Sequence, residues 1–134
     1  MEEALLLIET RIEELRETVA WGEDYMDGVE ERMENKLANR RTAIENIPDQ
    51  YVRESSGQRL EENWSRYGID LLHARTMHQS TELVIEGVLT DIEEIAEDEN
   101  ATVLDFAPLA TRILNAYSTL NGVTETLQAW ELRF

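Results

Sequence analysis

The fold is decided by residues 5–19, which read LLLIETRIEELRETV. Apolar residues recur in this stretch at alternating steps of three and four, which is the a/d seam of a coiled coil. The seam consists of Leu5, Ile8, Ile12, Leu15 and Val19. Glutamates and arginines fill the flanking positions and supply a solvated face. The stretch therefore predicts a long amphipathic helix whose seam packs against other helices.

The same spacing carries the first helix well beyond this stretch. It continues through Gly22, Met26, Val29, Met33 and Leu37. Glycine weakens a helix by about 1 kcal/mol relative to alanine, so a kink is allowed within residues 22–28. Pro48 ends the helix, because proline disfavours helical geometry in the residue before it. We predict a first helix over about residues 2–46.

A second seam starts after a polar connection. Ser55 and Gln58 have the spacing of a capping box, which predicts a helix start near residue 56. The apolar positions then run from Leu60 through Trp64, Tyr67, Leu71 and Ala74, pass through His78 and Thr81, and resume at Ile85, Val88, Ile92 and Ile95. We predict one continuous helix over about residues 56–98. A break near residues 78–81 is the alternative.

A third helix is predicted over about residues 105–132, with Pro108 tolerated in its first turn. Its seam is predicted at Ala110, Ile113, Tyr117, Leu120, Thr124 and Leu127. The chain is the length of one domain, and no strand-like alternation is present. The prediction is a single all-α domain over residues 1–134. Its three long amphipathic helices would form an elongated bundle or a coiled-coil-like hairpin.

The charge balance restricts the partners. The chain has 29 acidic and 12 basic residues, a net charge of −17, and Lys36 is its only lysine. Such a surface repels nucleic acid and anionic membranes, so we expect direct binding to neither. Three explanations stay open, namely adaptation to high salt, an acidic docking face for a basic partner, and mimicry of nucleic acid. The general scarcity of lysine favours salt adaptation.

Composition also bears on localisation. Cysteine is absent, the chain begins with the acidic segment Met1-Glu2-Glu3, and no apolar run approaches the ~20 residues needed to span a bilayer. These features predict a soluble protein of the cytoplasm or of a virion, without a secretion signal.

The residues that could support chemistry are few. Asp70 and His73 have the acid-x-x-His spacing of di-iron bundles, but that architecture needs a second such pair. The other histidine, His78, lies five residues further on and points away, as a seam residue that loosens or specifies helix register. No cysteine and no Gly-x-Ser-x-Gly motif is present. We predict no catalytic residue, no metal, no cofactor and no small-molecule substrate, and hence a protein that is not an enzyme.

The last residues of the sequence are unusually apolar. Trp130, Leu132 and Phe134 lie where chains normally are polar and frayed. They would either dock on the chain's own bundle or anchor a neighbouring subunit. Together with Leu5, Ile8, Ile12, Leu15 and Val19, they are the predicted protein-interaction residues.

These features favour a structural or assembly protein. It would pack as a homo-oligomer or as a subunit of a larger complex, for example as a virion connector, adaptor or scaffolding component, and its acidity would suit a halophile. The alternative is an acidic binding module. Such a module would inhibit or regulate a basic, nucleic-acid-binding partner by charge mimicry.

Overall fold

The computed structural model describes residues 1–134 as three long α-helices. Helix α1 spans Glu2–Glu45, α2 spans Gln50–Glu97 and α3 spans Ala107–Arg133, with one 3-10 turn at Val103–Phe106 before α3. No strand is present, which confirms the prediction of an all-α bundle of three helices. Residues early in α1 pack with residues late in α2 and early in α3. Helices α1 and α3 therefore run parallel, and α2 runs against both.

The α1 seam has the predicted register. Its buried residues are Ile8, Ile12, Leu15, Val19, Gly22, Met26, Val29, Met33 and Leu37. Helix α1 is unbroken through both glycines of residues 22–28. Burial of one continuous stripe compensates for the low helix propensity of glycine, since packing supplies most of the stability of helices in proteins.

Helix α2 is continuous through residues 78–81, as predicted, but it starts earlier than predicted. It begins at Gln50 and not near residue 56, because Asp49 caps it: the Asp49 carboxylate accepts a hydrogen bond of 2.9 Å from the Val52 backbone N–H. Ser55 therefore lies inside the helix and does not cap it. Aspartate directly after Pro48 makes an N-cap as good as serine, and it shortens the turn between α1 and α2.

The start and the register of α3 also differ from the prediction. Thr102 and Asp105 form a capping box around the 3-10 turn, with 2.8 Å between the Thr102 backbone N and Asp105 Oδ2. The buried stripe of α3 consists of Leu109, Ile113, Ala116, Leu120, Val123, Leu127 and Trp130. The predicted seam residues Ala110, Tyr117 and Thr124 instead lie beside this stripe and are exposed or half-buried. Because Ala116 and not Tyr117 faces the core, α3 can pack closely between the other two helices.

The core is divided into two apolar clusters. One cluster of 12 residues joins Ile8–Val19, Ile85–Ile92 and Phe106–Leu120. The other, of nine residues, joins Met26–Met33, Tyr67–Ala74 and Val123–Trp130. Between them α2 contributes His78 and Thr81, the only buried polar side chains of the core. We call these two residues, with Gly22 of α1, the polar layer.

A close fit between His78 and Gly22 builds the polar layer. The His78 Nδ1 lies 2.9 Å from the Ala74 carbonyl oxygen, which places the proton on Nδ1 and fixes the ring. The opposite ring edge faces Gly22, and Nε2 is buried without a hydrogen-bond partner. A β-carbon on Gly22 would stand 3.0 Å from His78 Cδ2, and nearer still to Nε2. Only glycine leaves room for this ring.

Two carboxyl groups flank the polar layer on the surface. Burial and a hydrogen bond with Glu82 raise the pKa of Glu23, and repulsion from the Glu82 charge adds to the shift. The Glu23 carboxyl group therefore binds its proton more tightly in the folded state than in the unfolded chain. Ionised Glu23 therefore destabilises the fold at neutral pH, and this contribution is lost as pH falls toward 4.5, the ordinary pKa of the group.

Glu82→Gln is expected to raise the melting temperature at neutral pH, because it removes the repulsion between the two carboxylates. The gain should shrink as pH falls toward 4.5, because protonation of Glu23 removes the repulsion in the parent protein. Thermal unfolding followed by circular dichroism at both pH values measures the effect. Glu93→Gln, an exposed position on the same helix, is the control. An equal gain in melting temperature from Glu82→Gln at both pH values would contradict the interaction between Glu23 and Glu82.

The bundle is three helices thick at one end and two at the other. The last turn of α3 is held where Arg32 pairs with Glu131 at 2.6 Å and Lys36 donates to the Glu131 carbonyl oxygen. The Arg32 hydrogen bonds lower the pKa of Glu131. Beyond this level α1 and α2 continue alone to their turn. We call residues 32–66 the hairpin end. They comprise the last part of α1, the turn and the first part of α2.

Candidate interaction surface

The structure places the predicted α1 seam inside the chain's own core. Ile8, Ile12, Leu15 and Val19 are buried, and Leu5 is half-buried against the same cluster. The prediction that these residues contact a partner is therefore corrected. Helices α2 and α3 cover the seam because all three apolar stripes come from one chain, and the seam is not available on the surface.

Two of the three apolar residues near position 134 also dock on the bundle. Trp130 is buried, and its Nε1 donates to Asp70 Oδ2 at 2.7 Å. Phe134 is half-buried, with its ring 5.8 Å from that of Trp64. Leu132, by contrast, is exposed. Of the two predicted alternatives, docking on the chain's own bundle is thus what Trp130 and Phe134 do.

An apolar groove lies between α1 and α3, near the beginning of both helices. We call it the α1/α3 groove. It encloses about 460 Å³ and is lined by Leu7, Ile8, Arg11, Glu14, Ala110, Ile113, Leu114 and Tyr117. Buried Ile8 and Ile113 form its floor, while Leu7 and Leu114 form its walls and expose 55% and 68% of their surface. The groove is open to solvent along the bundle.

Charged and aromatic residues define one end of the groove. Arg11 pairs with Glu14 at 2.9 Å across its rim. Burial is the main cause that raises the pKa of Tyr117. Past Tyr117 a shallower depression continues to Trp21, whose ring stacks on Tyr25 at 5.2 Å between centroids. The rim thus combines aromatic contact area with polar groups, as the solvent-accessible rim of a partner-binding surface does.

The sequence prediction missed this groove, although a signal for it is present. Leu7 and Trp21 lie two heptads apart, so both fall on one face of α1, next to the seam. Leu114 likewise lies next to a seam residue of α3. Leu7 and Leu114 are thus large apolar residues outside the buried stripes of their helices, although Glu14 lies between Leu7 and Trp21 on the same face of α1.

Charge is distributed unevenly along the bundle. The hairpin end holds seven of the 12 basic residues and six of the 29 acidic ones, which gives it a net charge of +1. The rest of the chain carries −18. Arg40, Arg59 and Arg66 of the hairpin end are exposed and form no ion pair. The acidity predicted for the whole surface is thus concentrated on the three-helix part.

The residues weighed for chemistry have other contacts. Asp70 accepts the Trp130 hydrogen bond, whereas His73 of the same acid-x-x-His pattern is exposed. His78 is in the polar layer. No group of three or more histidine, aspartate or glutamate side chains lies close enough together to hold a metal ion. None of the helices combines the length and the apolar character that crossing a membrane requires.

Comparison of the chain with protein families, with curated proteins and with solved structures gave no match.

Proposed function

We propose that the protein is a non-enzymatic assembly subunit that packs through its α1/α3 groove against copies of itself or against another protein. The groove is the observation that carries the proposal. Single exposed leucines are common on protein surfaces, but apolar walls over an apolar floor, bordered by charge, are typical of interaction sites. The proposal covers a component of a larger complex, such as a virion connector, adaptor or scaffolding component.

The mode of binding follows from the shape of the groove. A groove between two parallel helices accepts a third helix, whose apolar stripe would enter between Leu7 and Leu114. An added helix would bury Leu7 and Leu114 and would complete a four-helix arrangement. Tyr117 and Trp21 would supply large contact areas, as aromatic residues do at the centre of interfaces.

The groove variant Leu7→Glu/Leu114→Glu is expected to abolish assembly while leaving the fold intact, because both side chains project from the surface. The mass in solution, measured by light scattering, should fall to that of the monomer. The control variant is Leu72→Glu/Leu83→Glu, at two α2 leucines that are also 68% exposed each. It should assemble as the parent protein does. Circular dichroism should show equal helicity for the parent, the groove variant and the control variant, which verifies that all three are folded.

A photo-reactive amino acid at position 114 tests the same surface in cells, where the partner is another protein. We expect cross-links from position 114 and few from position 83. Equal cross-linking from both positions, together with unchanged assembly of the groove variant, would refute the proposal.

A second candidate rests on the uneven charge. The concentration of acid on the three-helix part supports an acidic binding module that occupies a basic, nucleic-acid-binding partner. This candidate predicts that a nucleic acid competes with the protein for the partner and that rising salt weakens the complex. Adaptation to high salt predicts the reverse, namely a fold that gains stability as salt screens its self-repulsion.

A further inference from the structure

We propose that the occupant of the α1/α3 groove is a basic amphipathic helix of another protein, anchored by one lysine or arginine beside Trp21. This inference rests on the proposed function, because it uses the same groove and names the chemistry of the partner. The observation that carries it is the depression that continues the groove past Tyr117, which we call the aromatic depression. It is lined by Glu14, Glu17, Thr18, Trp21 and Tyr117.

The aromatic depression combines two aromatic rings with two carboxylates. Trp21 is exposed and stacks on Tyr25 with 5° between the ring planes, which fixes the orientation of the indole. The negative face of an indole attracts a lysine or arginine that lies within about 6 Å of its centroid. The carboxylates supply charged hydrogen-bond acceptors at the same place. A positively charged side chain is therefore the group that fits this depression.

One of the two carboxylates is free to bind a partner. Arg11 already pairs with Glu14 at 2.9 Å, so these two charges largely compensate each other. Glu17 is exposed and forms no ion pair within the chain. Burial, followed by the charges of Glu14 and Glu17, raises the pKa of Tyr117, and the Arg11 charge opposes them. The depression therefore keeps one uncompensated negative charge, that of Glu17.

A single helix can reach both the groove and the aromatic depression. The α1 residues that line the two features are centred about seven residues apart, which is roughly 10 Å at 1.5 Å per residue. Residues one heptad apart fall on nearly the same face of a helix. The partner helix would thus place an apolar residue between Leu7 and Leu114 and a basic residue about one heptad further along.

A second copy of the chain does not offer such a helix. Residues 45–54, at the turn between α1 and α2, contain three acidic residues and one basic residue. Arg75 lies between the exposed leucines Leu72 and Leu83, but it already pairs with two carboxylates of α1. Like charges placed against each other weaken an interface, so an acidic copy is a poor occupant and a basic protein is a good one.

Binding of three matched peptides tests the inference. Each peptide is an alanine-based helix of about 20 residues, roughly 30 Å long, with one leucine stripe. The residues that flank the stripe are lysine, glutamine or glutamate. Isothermal titration calorimetry compares their binding at about 0.1 M salt, where exposed charges act over about 10 Å. Each peptide is titrated into the parent protein and into its variants.

Three variants locate the binding site. The depression variant is Glu17→Gln/Trp21→Ala. Glu9→Gln, at an exposed position of α1 outside both features, is the control for the lost charge. Leu7→Gln/Leu114→Gln is the uncharged groove variant, because glutamates in the groove would themselves attract lysine. Circular dichroism checks that all three variants are folded.

We expect the lysine peptide to bind the parent about tenfold more tightly than the glutamine peptide, as one cation–π contact and one exposed charge pair together provide. The depression variant should lose about this factor for the lysine peptide and much less for the glutamine peptide. Glu9→Gln should bind all peptides as the parent does. The uncharged groove variant should bind none of them.

Equal binding of the three peptides, tighter binding of the glutamine or glutamate peptide, or no binding of any peptide would overturn the basic partner. A lysine peptide that binds the depression variant or the uncharged groove variant as tightly as the parent would show general attraction to an acidic protein, and would overturn the inference as well. The proposed function fails on a different result, namely unchanged assembly and unselective cross-linking of the variants described for it.

Discussion

Gly22→Ala is expected to destabilise the protein by about 2 kcal/mol, although the same change inside a helix ordinarily stabilises by about 1 kcal/mol. The new β-carbon would press on the His78 ring, whose Cδ2 and Cε1 would be 3.0 and 3.1 Å away. The ring is 2% exposed and its Nδ1 is bonded to Ala74, so it cannot rotate away cheaply. Overpacking in such a site costs about 1–3 kcal/mol.

Urea unfolding of Gly22→Ala measures this effect, and the chain provides a matched control. A β-carbon on Gly122 of α3 would have no atom within 4 Å, so Gly122→Ala should be stabilising by up to about 1 kcal/mol. The two substitutions are chemically identical and differ in the predicted sign. His78→Ala should rescue Gly22→Ala, so that the double variant loses less stability than the two single losses together. A Gly22→Ala protein as stable as the parent would show that the ring does not require glycine.

Trp130→Ala is expected to cost about 3–5 kcal/mol of unfolding free energy, as truncation of a buried aromatic residue does. The indole is 8% exposed, its centroid lies 6.3 Å from that of Tyr67, and the Arg133 guanidinium stands 4.5 Å above it. Its removal opens the second apolar cluster and leaves the half-buried Asp70 carboxylate without its donor. Trp130→Phe keeps most of the apolar contact and should cost roughly 1.5–3 kcal/mol, the range for a hydrogen bond to a charged group.

Trp21→Ala is the matched control for Trp130→Ala. Trp21 is 54% exposed, and its stacking on Tyr25 is worth about 0.5–1.5 kcal/mol. Chemical unfolding of the three variants should rank Trp130→Ala as much the least stable. If Trp130→Ala and Trp21→Ala lost the same stability, Trp130 would not anchor α3 to the bundle.

The α1 seam and the continuity of α2 could be predicted because a single strong period determines each of them. Every seam position from Ile8 to Leu37 is buried, and the register holds even at Gly22. The α3 register could not be predicted in the same way. The predicted seam used Tyr117 and Thr124, whereas their neighbours Ala116 and Val123 are the buried residues. Hydropathy alone does not identify a position where a small residue is needed for close approach of two helices. The start of α2 depended on two equally good caps, Asp49 and Ser55.

The candidate site was harder to predict for a related reason. An apolar seam indicates that something covers it, but the sequence does not say whether the cover is the same chain or another one. The structure shows that α2 and α3 cover the seam of residues 5–19, and that Leu7 and Leu114 stay uncovered. That Leu7 and Leu114 are not part of the core can be recognised only after the core residues have been assigned. The charge of the hairpin end, in contrast, can be counted from the sequence once the turn is located.

The polar layer has a consequence for the energy landscape of the chain. A bundle whose seams are purely aliphatic has competing minima in which one helix is displaced by seven residues, because leucine, isoleucine and valine substitute for one another at small cost. In this protein a displaced α2 would drive the His78 ring into Leu15 or Val29, where no glycine gives way. This single misfit raises the free energy of every arrangement in which α2 is displaced. The orphaned Nε2 of His78 is thus the local cost of a single deep minimum.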